Sequence, residues 1–180
     1  TEKMPEFNTR GQRVEVSSCA NHAIQLKMIV SQFVPLAERF PATLNTRDAF
    51  REMSRQCGWE DDTDRLDGLG LSCPEAYRRD GSIGYVFVAN GLPTSTVTSR
   101  DPLVFFCPAQ SHQGDRREVQ HCHAVRGNGE LFCVSTNAEM FEMLSEDISR
   151  GRKGIVPYSE EAIQLMERET KARESFLKSR

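Results

Sequence analysis

The residues best suited to chemistry fall in two stretches of this 180-residue chain. The first is His121-Cys122-His123, with His112 upstream. Side chains alternate along an extended segment, so His121 and His123 share one face and Cys122 takes the other. Two imidazoles on one face, joined by His112, form a zinc ligand set. Cys122 beside them is a nucleophile in search of partners. Cys–His catalysis also needs a group to orient the base and donors for the oxyanion, and no local motif marks either. Histidines exposed on a hairpin are the plainer expectation.

The second stretch is Asp62-x-Asp64-x-x-Asp67-Gly68. Carboxylates clustered around a turn suit calcium, a hard cation that takes oxygen ligands. The spacing departs from the regular Asp-x-Asp-x-Asp-Gly loop and the distal Glu is missing, so a solvated acidic loop is expected. Gly68-Leu69-Gly70 lacks the rest of a nucleotide-binding fingerprint.

Six cysteines (Cys19, Cys57, Cys73, Cys107, Cys122, Cys133) are scattered with no Cys-x-x-Cys spacing, against zinc-knuckle and thioredoxin-like motifs. Buried thiols in a reducing compartment and disulfides in an exported protein both fit the count. A net charge of -3 offers no basic face for nucleic acid. Apolar residues at 38% and charged residues at 27% are an ordinary globular balance. The densest apolar run, Ile83 to Ala89, has the length of a strand rather than of a membrane span.

These residues need elements to position them. Cys19, Ala23, Leu26, Val30, Phe33, Ala37 and Phe40 recur at alternating steps of four and three, which predicts one amphipathic helix from about Gly11 to Phe40. Pro35 should kink it, and Phe40-Pro41 should end it. A second helix is expected with Asn45 or Thr46 as cap, Ala49, Phe50 and Met53 inward, and Cys57-Gly58 as its close. Ile83 to Val88, Leu103 to Phe106, Glu118 to Val125 and Glu130 to Val134 read as strands, the last two joined at Gly127-Asn128-Gly129. Strands joined by turns, without intervening helices, predict an antiparallel sheet and an α+β fold.

Two further helices should follow. One runs over Ala138 to Ser149, broken by Gly151-Arg152-Lys153-Gly154; the other runs from Ser159 to about Phe176, with Glu160 and Glu161 at its positive end. The last has a thin apolar stripe (Ile163, Met166, Thr170) and is expected on the surface. The division is therefore a domain over residues 1–150 and a charged helical extension over 151–180.

The order of features resembles the prepilin-type and type II secretion pseudopilin-like proteins. Cys19-Ala20-Asn21-His22-Ala23-Ile24-Gln25-Leu26 is similar to the Cys-x-Asn-Asn-Leu-x-Gln-Ile stretch of the pilin helix, and Arg39-Phe40-Pro41 to its Arg-Phe-Pro exit. Leu71-Ser72-Cys73-Pro74, Ile83-Gly84-Tyr85, Asp101-Pro102-Leu103-Val104 and His112 follow in the family's order. Ala124 to Val134 stands where the family has its closing hairpin, with Asn128-Gly129-Glu130 in place of Asp-Gly-His. The collinear set spans Arg10 to Ile148. It has no Gly-Phe processing site and no apolar half-helix before it, and the tail from Gly151 has no counterpart.

The resemblance implies a long N-terminal helix packed on a small antiparallel sheet. It implies a non-catalytic subunit of a pilus-like or secretion filament, with other pilin or pseudopilin subunits and the inner membrane as partners, on the periplasmic side. The membrane segment would precede Thr1. Related pseudopilins hold calcium in a loop, which would here be Asp62, Asp64 and Asp67. Export would also allow disulfides, with Cys57 and Cys73 bracketing the acidic loop and Cys122 facing Cys133 across the hairpin. The alternative is a small metal-binding protein or enzyme built on His112, His121, Cys122 and His123.

Overall fold

The computed structural model describes residues 15–58, 85–107, 122–134 and 137–178. Helix α1 spans Glu15–Phe33. Ala23, Leu26, Ile29, Val30 and Phe33 are buried along one side of it, in the expected register with Ile29 added. The helix ends at Pro35 instead of kinking through it. A single 3-10 turn, Val34–Leu36, follows, and Ala37 is already extended (φ −132°, ψ 149°). Proline has no N–H for the ladder and its ring collides with the carbonyl four residues back. An extended partner also stands ready here. Thr94 N–H donates to Glu38 C=O at 2.9 Å, Phe40 N–H to Leu92 C=O at 2.8 Å, and Gly91 N–H to Pro41 C=O at 2.9 Å. Phe40 thus reaches the core from this ladder rather than from the helix, its ring centroid 5.7 Å from that of Phe33.

Helix α2 spans Thr46–Gln56, and the Asn45 side chain caps it by accepting from Asp48 N–H at 3.1 Å. Ala49, Phe50 and Met53 are buried, and Gly58 lies just beyond the end with φ +79°. Strands β1 (Val86–Phe87), β2 (Leu103–Phe106), β3 (Cys122–Arg126) and β4 (Leu131–Val134) form an antiparallel sheet in chain order. Gly129, at φ +81°, closes the β3–β4 hairpin. The Thr46 hydroxyl covers the outer edge of β1, donating to Tyr85 C=O at 3.1 Å and accepting from Phe87 N–H at 3.3 Å. A short helix α3, Thr96–Arg100, precedes β2.

Both faces of the sheet are covered. The register sets Phe87 beside Phe105 and Phe105 beside Val125, so these three share a face, and Val86, Phe106 and Ala124 share the other. Helix α1 packs across β3 and β4. Helices α4 (Asn137–Arg152) and α5 (Glu160–Lys178) form a hairpin on the face of Phe106.

Gly151 does not break α4. It sits in the last turn, where an added Cβ would lie 3.1 Å from Ile163 and Tyr158, so its bareness admits the next helix. Gly154, at φ +70°, makes the break, and the Ser159 hydroxyl caps α5 by accepting from Ala162 N–H at 3.1 Å. Helix α5 is no surface appendage. Ala162, Ile163 and Met166 join the same buried cluster as α1 and the strands. Its thin stripe suffices because Thr170 and Arg173 are buried too. The fold is α+β with one shared core.

Candidate functional site

The most concentrated chemistry among the described residues is a buried polar cluster between the sheet and α4. Asp147 has no exposed surface. Arg126, at the end of β3, donates from Nη1 to Asp147 Oδ1 at 3.3 Å and from Nη2 to Oδ2 at 3.0 Å. Arg150, one turn along α4, donates to Oδ1 at 3.2 Å, and the Tyr158 hydroxyl donates to Oδ1 at 3.0 Å. Tyr158 in turn accepts from Leu103 N–H at 2.7 Å. Asp101 closes α3 in the left-handed region (φ +46°), and its carbonyl accepts from Arg126 at 3.1 Å and from Arg150 at 3.4 Å. Arg150 also donates to the Arg100 carbonyl.

The electrostatics follow from this packing. Burial pushes the Tyr158 hydroxyl well above the usual tyrosine range, and the Asp147 charge beside it adds to the shift. Burial alone would lower Arg126, but the charge and hydrogen bonds of Asp147 outweigh it and raise its pKa. Burial raises Asp101, with Arg126 opposing. Four hydrogen bonds converge on the Asp147 carboxylate, three on Oδ1 and one on Oδ2. A buried carboxylate so held ties β3, α4 and the segment before α5 together.

A second buried cation lies farther along α5. Arg173 donates to Glu169 at 3.2 Å and to the Cys107 carbonyl, and its guanidinium carbon is 5.8 Å from the centroid of the Phe106 ring.

His123 is buried (2% exposed), so it is not an exposed hairpin histidine; it lies on the sheet face of Val125, opposite that of Ala124. His112 and His121 lie outside the described residues, as do Asp62, Asp64, Asp67 and Cys73, and so does the side chain of Cys19. No group of three or more His, Cys, Asp or Glu able to hold a metal occurs among the described residues. The hairpin register pairs Cys122 with Val134 and Cys133 with His123, one step away from the facing arrangement expected for a disulfide. Cys57 and Cys107 carry thiols outside any disulfide. Cys57 packs against the core at the end of α2, and burial raises its pKa; Cys73, its expected disulfide partner, lies outside the described residues.

The outer side of α1 presents a different kind of surface. Ile24 and Met28, four residues apart, are 43% and 46% exposed, and Leu36 beyond them is 59% exposed. No helix among the described residues is long and apolar enough to cross a membrane.

Comparison with protein families, with curated proteins and with solved structures finds no match for this chain. The Arg126–Asp147–Tyr158 cluster was not anticipated from the sequence. One signal for it existed: Asp147 continues the inward stripe of Met140 and Leu144, a position that buries whatever residue occupies it.

Proposed function

We propose that this chain is a non-catalytic structural subunit of the pilin or pseudopilin kind, acting by assembly into a filament linked to secretion or adhesion. The observation that carries this reading is the two-sided first helix. One side of α1 is buried against the sheet, while Ile24 and Met28, one turn apart, are exposed on the helix and Leu36 is exposed in the 3-10 turn beyond it. Exposed apolar patches on a folded domain mark contact surfaces. The α+β class, a first helix packed on an antiparallel sheet, is compatible with this reading and is not specific to it. On this reading the partners are further subunits, the location is the periplasmic side of the inner membrane, and an apolar segment encoded ahead of Thr1 anchors the chain.

The test is to express the whole gene in its host, shear the cells and look for the protein in the filament fraction. Replacing Ile24 and Met28 together with Glu should abolish recovery there while leaving the melting temperature of the soluble domain unchanged. Undiminished recovery of that variant, or a gene that starts with Met directly before Thr1, would overturn the proposal.

A further inference from the structure

Helices α4 and α5 pack more closely on each other than on the sheet beneath them. Their seam with the rest of the fold is laced with polar links drawn from distant parts of the chain. Ser159 donates to the Asn90 side chain at 2.8 Å, and Leu103 N–H bonds the Tyr158 hydroxyl at 2.7 Å. Arg126 holds Asp147, Arg150 reaches the carbonyls of Arg100 and Asp101, and Arg173 reaches that of Cys107. Within the hairpin the bonding is different. Gly151 lets Ile163 and Tyr158 close on α4, and Arg152 clamps Glu160 and Glu167 at 2.9 and 2.8 Å.

Buried ion pairs contribute less net stability than apolar groups of the same size, yet each depends on both partners staying in place. Cooperative opening units in proteins commonly coincide with such supersecondary motifs. We infer that α4 and α5 open from the sheet as one unit while α1 and the four strands stay folded, and that the contacts of Asp147 are the latch. Opening uncovers the sheet face of Val86, Phe106 and Ala124. This holds whether or not the protein assembles into filaments.

Amide hydrogen exchange under native conditions, followed across a series of low urea concentrations, tests it. In the unmodified protein the amides of α4 and α5 should share one opening, with a weaker urea dependence than those of α1, β2 and β3. Asp147→Asn should speed exchange in α4 and α5 by about tenfold or more, the scale of one lost charged hydrogen bond, and speed α1, β2 and β3 by no larger a factor, since the same contact is lost when the whole chain unfolds. Tyr158→Phe should act in the same direction more mildly, and serves if Asp147→Asn does not fold. Leu26→Ala should speed exchange in α1, β2 and β3 and leave the α4–α5 opening as it was. Exchange of α4 and α5 in step with the strands across the urea series, an α4–α5 opening left unchanged by both Asp147→Asn and Tyr158→Phe, or Leu26→Ala accelerating α4 and α5 as much as α1, β2 and β3, overturns the inference.

Discussion

Arg126 on β3 grips both carboxylate oxygens of Asp147 on α4, at 3.3 and 3.0 Å, across 21 residues of chain. A forked guanidinium on a carboxylate is a directional bond, and here the carboxylate is wholly buried. The pair sets where the C-terminal hairpin docks on the sheet. Removing Asp147 takes the forked carboxylate from Arg126 and leaves it the Asp101 carbonyl at 3.1 Å and the Asp101 carboxylate at 4.0 Å. Asp147→Ala should therefore destabilise the fold by about 3–5 kcal/mol in urea unfolding. The double variant Arg126→Met, Asp147→Leu should recover part of that loss, because the buried guanidinium goes with its carboxylate while Arg150 keeps the carbonyls of Arg100 and Asp101. A double variant as unstable as Asp147→Ala alone would show that the pair adds net stability of its own.

Leu26 on α1 has no exposed surface and belongs to the central buried cluster. Leu26→Ala should cost about 2–5 kcal/mol through lost burial and the cavity left behind. Leu26→Asp places a carboxylate in the same site and should abolish the cooperative thermal transition. Circular dichroism melting checks both, and an unchanged melting temperature for Leu26→Asp would remove α1 from the core.

Tyr158 predicts an alkaline limit to stability. Its pKa is raised in the folded protein, chiefly by burial and then by Asp147, whereas in the unfolded chain it titrates near its ordinary value of about 10. Below that value both states bind the proton and Tyr158 adds no pH dependence. As pH rises through about 10, the unfolded state loses its proton while the folded state keeps it, so the stability contributed by this group falls. Urea midpoints measured between about pH 8 and 11 should decline more steeply for the unmodified protein than for Tyr158→Phe. At neutral pH that variant should lose about 1–3 kcal/mol, since Leu103 N–H is left without its buried acceptor. Parallel pH profiles for the two proteins would count against this assignment.

Cys57 and Cys107 offer a direct chemical check. Both are thiols, the first half-buried with its pKa raised by desolvation, the second buried. Alkylation in denaturant without reductant should modify both, as read by peptide mass mapping. In the native protein at neutral pH, Cys57 should react more slowly than an exposed cysteine, because little of it is thiolate. Protection of Cys57 until a reductant is added would instead reveal a disulfide.

Several elements were legible from residue order. Asn45 as cap, Ala49, Phe50 and Met53 as the inward face of α2, the strand Leu103–Phe106 and the hairpin around Gly129 all stand where the spacing placed them. Each depends on groups a few residues apart, so the contact and its cause lie within one window of sequence. Pro35 was read correctly as an obstacle and wrongly as a kink. The extended run from Glu38 to Pro41 finds its hydrogen bonds on Leu92, Gly91 and Thr94, and that partner is distant in sequence. Gly151 misled for a related reason. Its missing side chain serves the approach of Ile163, which no local pattern announces.

Amphipathic helices and an antiparallel hairpin follow from residue order, because periodicity, caps and turns are local physics. Packing across the fold draws α5 into the core, buries His123 on the sheet face of Val125, and brings Arg126, Asp147 and Tyr158 together. Those outcomes depend on which faces come together across the whole fold. A charged residue in a helix reads the same whether it faces water or a guanidinium on a strand. Asp147 becomes distinctive only once packing has removed the water and left Arg126, Arg150 and Tyr158 as its surroundings.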